Sequence, residues 1–272
     1  MKQFILSSPP DSQGLIRLAG KDFHYLARVR RLREGAVFNA VLPDGSGVRI
    51  LVQSLADNCL TGECLSGEFI DETGLPPIIL FQAMPRGAKL DLIVRQAVEG
   101  GIAEIRPFVS GYSVPRVSGK IDGDGKSGRV ERWRRIAKEA RQQSGSSIAT
   151  EIAAPCALEE LLEYWESLKS QFERPLGIIL HPGPTVGPLG SAGPLAKSAF
   201  HSYLYDHPDL VVLAVGPEGG FSPEEVSLFL TAGFRPLVIG NTILRTETAS
   251  LYAAAAVRVI LLENTTWTLA TP

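Results

Sequence analysis

Cysteine is scarce in this sequence: Cys59, Cys64 and Cys156 are the only three in 272 residues, and none stands in a C-x-x-C pair. That spacing suggests neither a disulfide framework nor a cysteine zinc site, and the three read as buried thiols. Histidine is nearly as rare. His24, His181, His201 and His207 show no metal-ligand spacing, so no metal is called for. No run of about 18 uninterrupted apolar residues occurs, which argues against a membrane-spanning helix. The opening "MKQFILSSPPDSQG" has too short an apolar core for a signal peptide, and a cytoplasmic protein is expected. Phosphate-loop and nucleophile-elbow motifs are missing as well. "GDGKSG", Gly123 to Gly128, matches G-x-G-x-x-G only formally: no apolar strand leads into it, and it reads as a mobile loop. Asp122 and Asp124 begin like a calcium loop, but Lys126 occupies the next ligand position.

What is present is an ordinary globular composition, 44% hydrophobic and 21% charged, long enough for two domains. The net charge of −2 conceals an asymmetry: residues 86–145 carry 13 basic and 7 acidic side chains, whereas residues 146–272 carry 6 and 13. A locally basic segment inside a slightly acidic chain suits a polyanionic partner. Short alternating strands with turn signals run from Phe4 to about Phe69, including a hairpin at Asp44-Gly45-Ser46-Gly47, and predict a small β-barrel. "DETGLPP", from Asp71, is a polar, Gly/Pro-punctuated joint that puts a boundary between domains 1–73 and 74–272.

Beyond the joint, strand-like runs at 78–83, 104–109, 176–181, 210–215 and 236–240 alternate with helical periodicity, predicting an α/β domain with a mostly parallel sheet. In one helix Leu90, Ile93, Val94, Ala97 and Val98 share a face. In "RVERWRRIAKEARQQSG" the apolar arc of Val130, Trp133, Ile136, Ala137 and Ala140 opposes a basic stripe of Arg132, Arg134, Arg135, Lys138 and Arg141, with Glu131 placed to pair with Arg135. Such a stripe suits phosphate contact.

"VVLAVGPEGGFSPEEV" concentrates the ligand-binding signals. Ser222, Pro223 and Glu225 form a capping box that fixes a helix start, and Gly216, Gly219 and Gly220 bare the main chain just before it. A second such bend lies in "VIGNTILRTETASLYAAAAVRVILL", where a helix starting near Thr246 or Glu247 is apolar nearly all round.

"GPEGGFSPEE" together with "LRTETA" resembles the signature of the RsmE family of 16S ribosomal RNA uridine-N3 methyltransferases, members of the trefoil-knotted SPOUT superfamily. "DFHYLARVRRLREG" is similar to that family's PUA-like N-terminal segment, "KLDLIVRQAVEGGI" to its first α/β helix and "RWRRIAKEARQQS" to its basic helix. The chain departs at Glu99-Gly100-Gly101, where Glu-Leu-Gly is usual, and at Gly145-Ser146-Ser147, where an arginine is common.

The resemblance implies a homodimer that binds S-adenosyl-L-methionine and acts on 16S rRNA or the small ribosomal subunit. It places the cofactor beside Leu180 and His181; beside Val215, Gly216, Pro217, Gly219 and Gly220; beside Ile239, Gly240 and Asn241; and beside Leu244, Thr246, Thr248 and Ala249. A sulfonium methyl is already activated, so side chains have only to orient the nucleophilic nitrogen and relieve it of its proton; Arg245, Glu218 and Glu247 are the candidates. Arg245 draws attention because a cation just before a helix start opposes the helix dipole; Glu247 in the first turn is equally explained by that dipole. RNA contact is expected from His24, Arg28, Arg30, Arg31 and Arg33, with Tyr25 either stacking on a base or filling the core, and from Arg86, Arg132, Arg134, Arg135, Lys138 and Arg141. A catalytically inactive RNA-binding protein, an enzyme acting on another RNA and a nucleotide-dependent enzyme of doubly wound type remain open alternatives.

Overall fold

The structure, a computed structural model, describes residues 4–43, 47–69, 74–113, 123–181, 199–239 and 242–263, without the side chains of 66–69, 123–127 and 199. The chain forms two compact units, Met1–Glu72 with Glu139–Ala149, and Thr73–Lys138 with Thr150–Pro272.

The first unit is built on a five-stranded sheet, β1 (Phe4–Ile5), β2 (Leu15–Ala19), β3 (Val37–Val41), β4 (Gly47–Ala56) and β5 (Cys59–Phe69), in the order β1-β3-β4-β5-β2. All its pairings are antiparallel except β1 with β3. The β4–β5 turn is two residues long, and both Asp57 and Asn58 have positive φ (52° and 55°), the conformation of a type I′ hairpin. Short α1 (Gly20–Phe23) runs on into a π-helical segment, His24–Val29. Tyr25 settles on the core side of the two readings given above: its ring stacks on Phe4, centroids 6.3 Å apart, against the cluster of Leu26, Phe38, Ile50 and Leu60.

The second unit holds a six-stranded, wholly parallel sheet in the order β11-β9-β10-β6-β7-β8. Its strands are β6 (Ile78–Ala83), β7 (Glu104–Phe108), β8 (Glu151–Ile152), β9 (Pro175–Leu180), β10 (Leu210–Val215) and β11 (Arg235–Leu237). Every residue of β6 and β10 is buried, as central strands of a parallel sheet require, and that is why β10 reads as an unbroken apolar run and β6 as one interrupted only by Gln82. The α/β expectation holds. Helix α2 (Lys89–Glu99) buries Leu90, Ile93, Val94, Ala97 and Val98 as its periodicity predicts. Helix α4 (Leu158–Gln171) seats Trp165 on Phe234, centroids 4.9 Å apart, with the indole N–H donating to the Ala232 carbonyl.

Helix α3 (Gly123–Ser144) starts earlier than the sequence suggested: "GDGKSG" is its first turns rather than a loop. The basic stripe is also shorter than the wheel implied. Arg141 is buried, 8% exposed, because its guanidinium donates to the carbonyls of Ser146 and Ser147 (3.1 and 2.8 Å) and so closes the end of the helix. Glu131 pairs with Arg134, not Arg135, and Arg132 pairs with Asp91.

Helix α5 (Ala199–Tyr205) is followed, after β10, by α6 (Pro223–Thr231), which carries the anticipated capping box. Glu225 does more than cap. Besides the Ser222 N–H (2.8 Å), its carboxylate accepts from Ser110 Oγ (3.0 Å) and Gly111 N (2.7 Å), tying the loop after β7 to the start of α6. Helix α7 (Thr246–Glu263) buries Ala253, Ala254, Val257, Ile260 and Leu261 but leaves Leu251, Tyr252 and Val259 exposed. No helix among the described residues is long and apolar enough to cross a membrane.

Removing Glu225 strips a cap and leaves the buried Ser110 Oγ and the part-buried Gly111 N without their acceptor. Glu225→Ala is expected to cost about 2–4 kcal/mol, lowering the melting temperature by roughly 5–10 °C in thermal denaturation. An unchanged melting temperature would contradict this.

Candidate functional site

In an open parallel sheet ligands bind outside the carboxyl ends of the strands, near the place where strand order reverses. The chain crosses from β10 over β9 to reach β11, and a cavity of about 240 Å³ opens there, at the carboxyl ends of those three strands.

Leu180 and His181 contribute from the end of β9, Val215 to Gly220 from the turn after β10, and Leu237 and Ile239 from the end of β11 and beyond. Thr242, Ile243, Leu244, Thr246 and Ala249 complete the lining as the chain enters α7. Eleven of the sequence-predicted cofactor residues therefore share one wall: Leu180, His181, Val215, Gly216, Pro217, Gly219, Gly220, Ile239, Leu244, Thr246 and Ala249. Thr248 is exposed and outside the lining, while Gly240 and Asn241 lie outside the described residues.

The three glycines of the turn are required for different reasons. A Cβ on Gly216 would meet the main chain of Gly220 at 3.2 Å, so this glycine lets the turn close on itself while its main chain lines the cavity. A Cβ on Gly219 would lie 3.0 Å from Tyr112 Cβ. Gly220 has φ +71° and open space around its Cβ position, so it supplies the left-handed backbone and an unobstructed wall.

Side chains from elsewhere pin this turn. Thr246 Oγ1 donates to the Gly216 carbonyl (2.7 Å) and accepts from Gln82 Nε2 (3.0 Å), while Ser250 Oγ donates to Gln82 Oε1 (2.5 Å). Gln82 is fully buried at the end of β6 and links that strand to α7. Glu218 accepts from Arg86 N (3.1 Å) and from Lys89 Nζ (2.6 Å), and Lys89 Nζ also stands 3.9 Å from Glu247 Oε2. Burial pushes the Glu218 carboxyl up, but Lys89 and the main-chain N–H groups of Glu218 and Arg86 outweigh it and hold the group below its ordinary value.

The three catalytic candidates thus differ in their surroundings. Glu218 is bound by several donors, Glu247 keeps a buried Oε2 with no hydrogen bond, and Arg245 is exposed with no side-chain partner among the described residues. His181 Nδ1 is likewise buried without a partner, and burial lowers the pKa of its imidazole. Sequence reading overlooked Lys89 and Gln82, although both signalled themselves: Lys89 is a cation at the first position of α2, against the helix dipole, and Gln82 is the one polar residue of a six-residue apolar strand.

Of the expected RNA-contacting residues, His24, Arg28, Arg31 and Arg33 in the first unit are exposed. Arg30 is half-buried with one guanidinium nitrogen lacking a partner. In the second unit the side chains of Arg86, Arg132, Arg134, Arg135 and Lys138 are exposed. Among the described residues no group of three or more His, Cys, Asp or Glu could hold a metal ion.

A parallel sheet carrying a glycine-lined cavity at its carboxyl edge is common to several ligand-binding α/β folds, and comparison with known proteins singles out one: residues 72–258, more than half the chain, match the RNA methyltransferase domain. The ribosomal RNA small subunit methyltransferase E of Synechocystis is 30% identical over 253 residues, covering 92% of this chain and 74% of the relative. A methyltransferase of Legionella pneumophila solved with S-adenosylmethionine superposes with a TM-score of 0.65 at 25% identity, over 95% of this chain and 98% of that one. The Neisseria gonorrhoeae small subunit methyltransferase E, also solved with S-adenosylmethionine, shares the fold with a TM-score of 0.69 at 24% identity, over 96% and 98% of the two chains. The chain belongs to the RNA methyltransferase family and, within it, to the ribosomal RNA small subunit methyltransferases E.

Because the pKa of Glu218 is depressed on folding, its pairing stabilises the protein above the ordinary carboxyl value of 4.5, and that contribution disappears as pH falls through the folded value. Lys89→Met removes a principal donor. The variant is expected to lose stability relative to wild type near neutral pH and to show a flatter decline in melting temperature between about pH 6 and 3. Parallel pH profiles for the two proteins would contradict this.

Proposed function

We propose that this protein is an S-adenosyl-L-methionine-dependent methyltransferase that modifies N3 of a specific uridine in the 16S RNA of the small ribosomal subunit. It acts in the cytoplasm as a homodimer, with a PUA-like RNA-binding unit ahead of a SPOUT domain whose C-terminal segment is knotted. The observation that carries the reading is the cavity at the carboxyl ends of β9, β10 and β11, with its main-chain turn, in a chain of this family.

The lining suits the donor. Apolar side chains such as Leu180, Val215, Leu237 and Leu244 provide walls for a flat purine, and the Gly216–Gly220 main chain offers donors and acceptors to its edge. When bound, S-adenosylmethionine supplies a methyl group on a positively charged sulfur. The protein has to align the uridine nitrogen and take its proton. Glu247 suits the proton acceptor better than Glu218, since one of its oxygens has no hydrogen bond whereas the Glu218 carboxylate is held by several donors that lower its own pKa. Arg245, exposed and with no side-chain partner among the described residues, suits the negative charge that develops on the uracil ring.

The passage of the chain from β10 to the far edge at β11, and its return through the cavity wall into α7 packed on β10, β6 and α2, supports the knotted reading. Leu251, Tyr252 and Val259, exposed on α7, are apolar surface that a second copy would cover. On α3, Arg135 and Lys138 are exposed and unpaired among the described residues, which suits phosphate contact.

Mapping methylated uridines by mass spectrometry in ribosomal RNA from cells with and without the protein is expected to show one N3-methyluridine lost from small-subunit RNA. An unchanged map would reject the reading. Arg135→Glu with Lys138→Glu is expected to weaken RNA binding and reduce its salt slope by about 0.7–0.9 per lost phosphate contact, with S-adenosylhomocysteine affinity unchanged in calorimetry. Wild-type RNA affinity and slope in the double variant would remove α3 from the interface.

A further inference from the structure

Tyr112 has no part in the chemistry above, yet it stands against the donor turn. The residue is 49% exposed, and its Cβ lies 3.0 Å from the place a Cβ on Gly219 would occupy. Gly219 itself lines the cavity, so the tyrosine sits on the outer side of the cavity wall. The main chain that carries it is held on both flanks. Gly111 N donates to Glu225 Oε1 at 2.7 Å and Ser110 Oγ to Glu225 Oε2 at 3.0 Å; Ser110 N donates to Ser113 Oγ at 3.1 Å and Ser113 N to the Ser110 carbonyl at 2.8 Å.

An exposed ring gains little from folding, and most surface aromatics are free to move. Here a buried carboxylate fixes the loop, and the residue beneath the ring has to be a glycine for it to lie so close. A flat, pre-positioned aromatic surface results, beside the pocket from which a nucleobase is to be methylated.

We propose that Tyr112 is the stacking platform for the target base of a single-stranded RNA segment. This rests on the reading of the protein as an RNA methyltransferase. A base withdrawn from its neighbours loses stacking energy, and an aromatic ring braced against the outer face of the donor turn returns it while holding the base plane in a fixed attitude. The phenolic hydroxyl is not needed for this, so phenylalanine serves as well as tyrosine.

The test compares full-length wild type, Tyr112→Phe and Tyr112→Ala in transfer of labelled methyl groups to small ribosomal subunits, alongside calorimetry with S-adenosylhomocysteine. Tyr112→Ala is expected to lose roughly 5- to 150-fold in kcat/KM, Tyr112→Phe to stay within about twofold of wild type, and all three to bind S-adenosylhomocysteine equally. Tyr112→Ala with wild-type kcat/KM overturns the proposal. So does a parallel loss of S-adenosylhomocysteine affinity, which makes Tyr112 a prop for the donor turn, or a Tyr112→Phe defect equal to that of Tyr112→Ala, which makes the hydroxyl the active feature. A wild-type protein that transfers no methyl group to any ribosomal RNA overturns the underlying reading, and this inference with it.

Discussion

The site depends on one constraint: a short main-chain turn, Gly216 to Ser222, has to hold its shape although three of its seven residues are glycine. Glycine frees the backbone there, and freedom is the opposite of what a binding wall needs. The protein resolves this by anchoring the turn from outside. Thr246 fixes the Gly216 carbonyl, Arg86 and Lys89 hold the Glu218 carboxylate, and Glu225 closes the turn onto both α6 and the loop after β7. Each anchor comes from a different part of the chain, so the geometry of the wall is an outcome of the whole second unit folding.

That arrangement matches what methyl transfer asks of a protein. The donor carries its own activation, so catalytic power comes from alignment more than from reactive side chains, and alignment to a fraction of an ångström requires rigid supports. The buried network of Gln82, Thr246 and Ser250 supplies one: each hydroxyl and amide finds a partner, and α7 is thereby registered against β6 and the end of β10. The charged group of Lys89 with Glu218 and Glu247 supplies another, and it separates two carboxylates that are alike in sequence into a held one and one with an oxygen to spare.

Local physics made much of this readable in advance. The apolar runs of β6 and β10 could be placed to the residue because both faces of a central parallel strand are covered, and Ser222-Pro223-x-Glu225 specifies its own helix start. The readings that went astray needed contacts that spacing does not encode. Arg141 lies on the correct side of a helical wheel for solvent, but the chain turns back beyond Ser144 and brings two carbonyls to it. "GDGKSG" has loop composition and is helical nonetheless. Glu131 had two arginines within reach, and only the structure chooses Arg134. Lys89 and Gln82 meet their partners 129 and 164 residues away, so the sequence could mark them as unsatisfied without naming what satisfies them.

The braced turn and the entry to α7 together form the wall proposed to receive the methyl donor. Hydrogen–deuterium exchange with and without S-adenosylhomocysteine addresses it directly. Added protection is expected at the amides of residues 216, 218–220 and 242–246, with the first unit unaffected. Saturating ligand that leaves those amides exchanging as before, or that protects a different face of the protein, would contradict it.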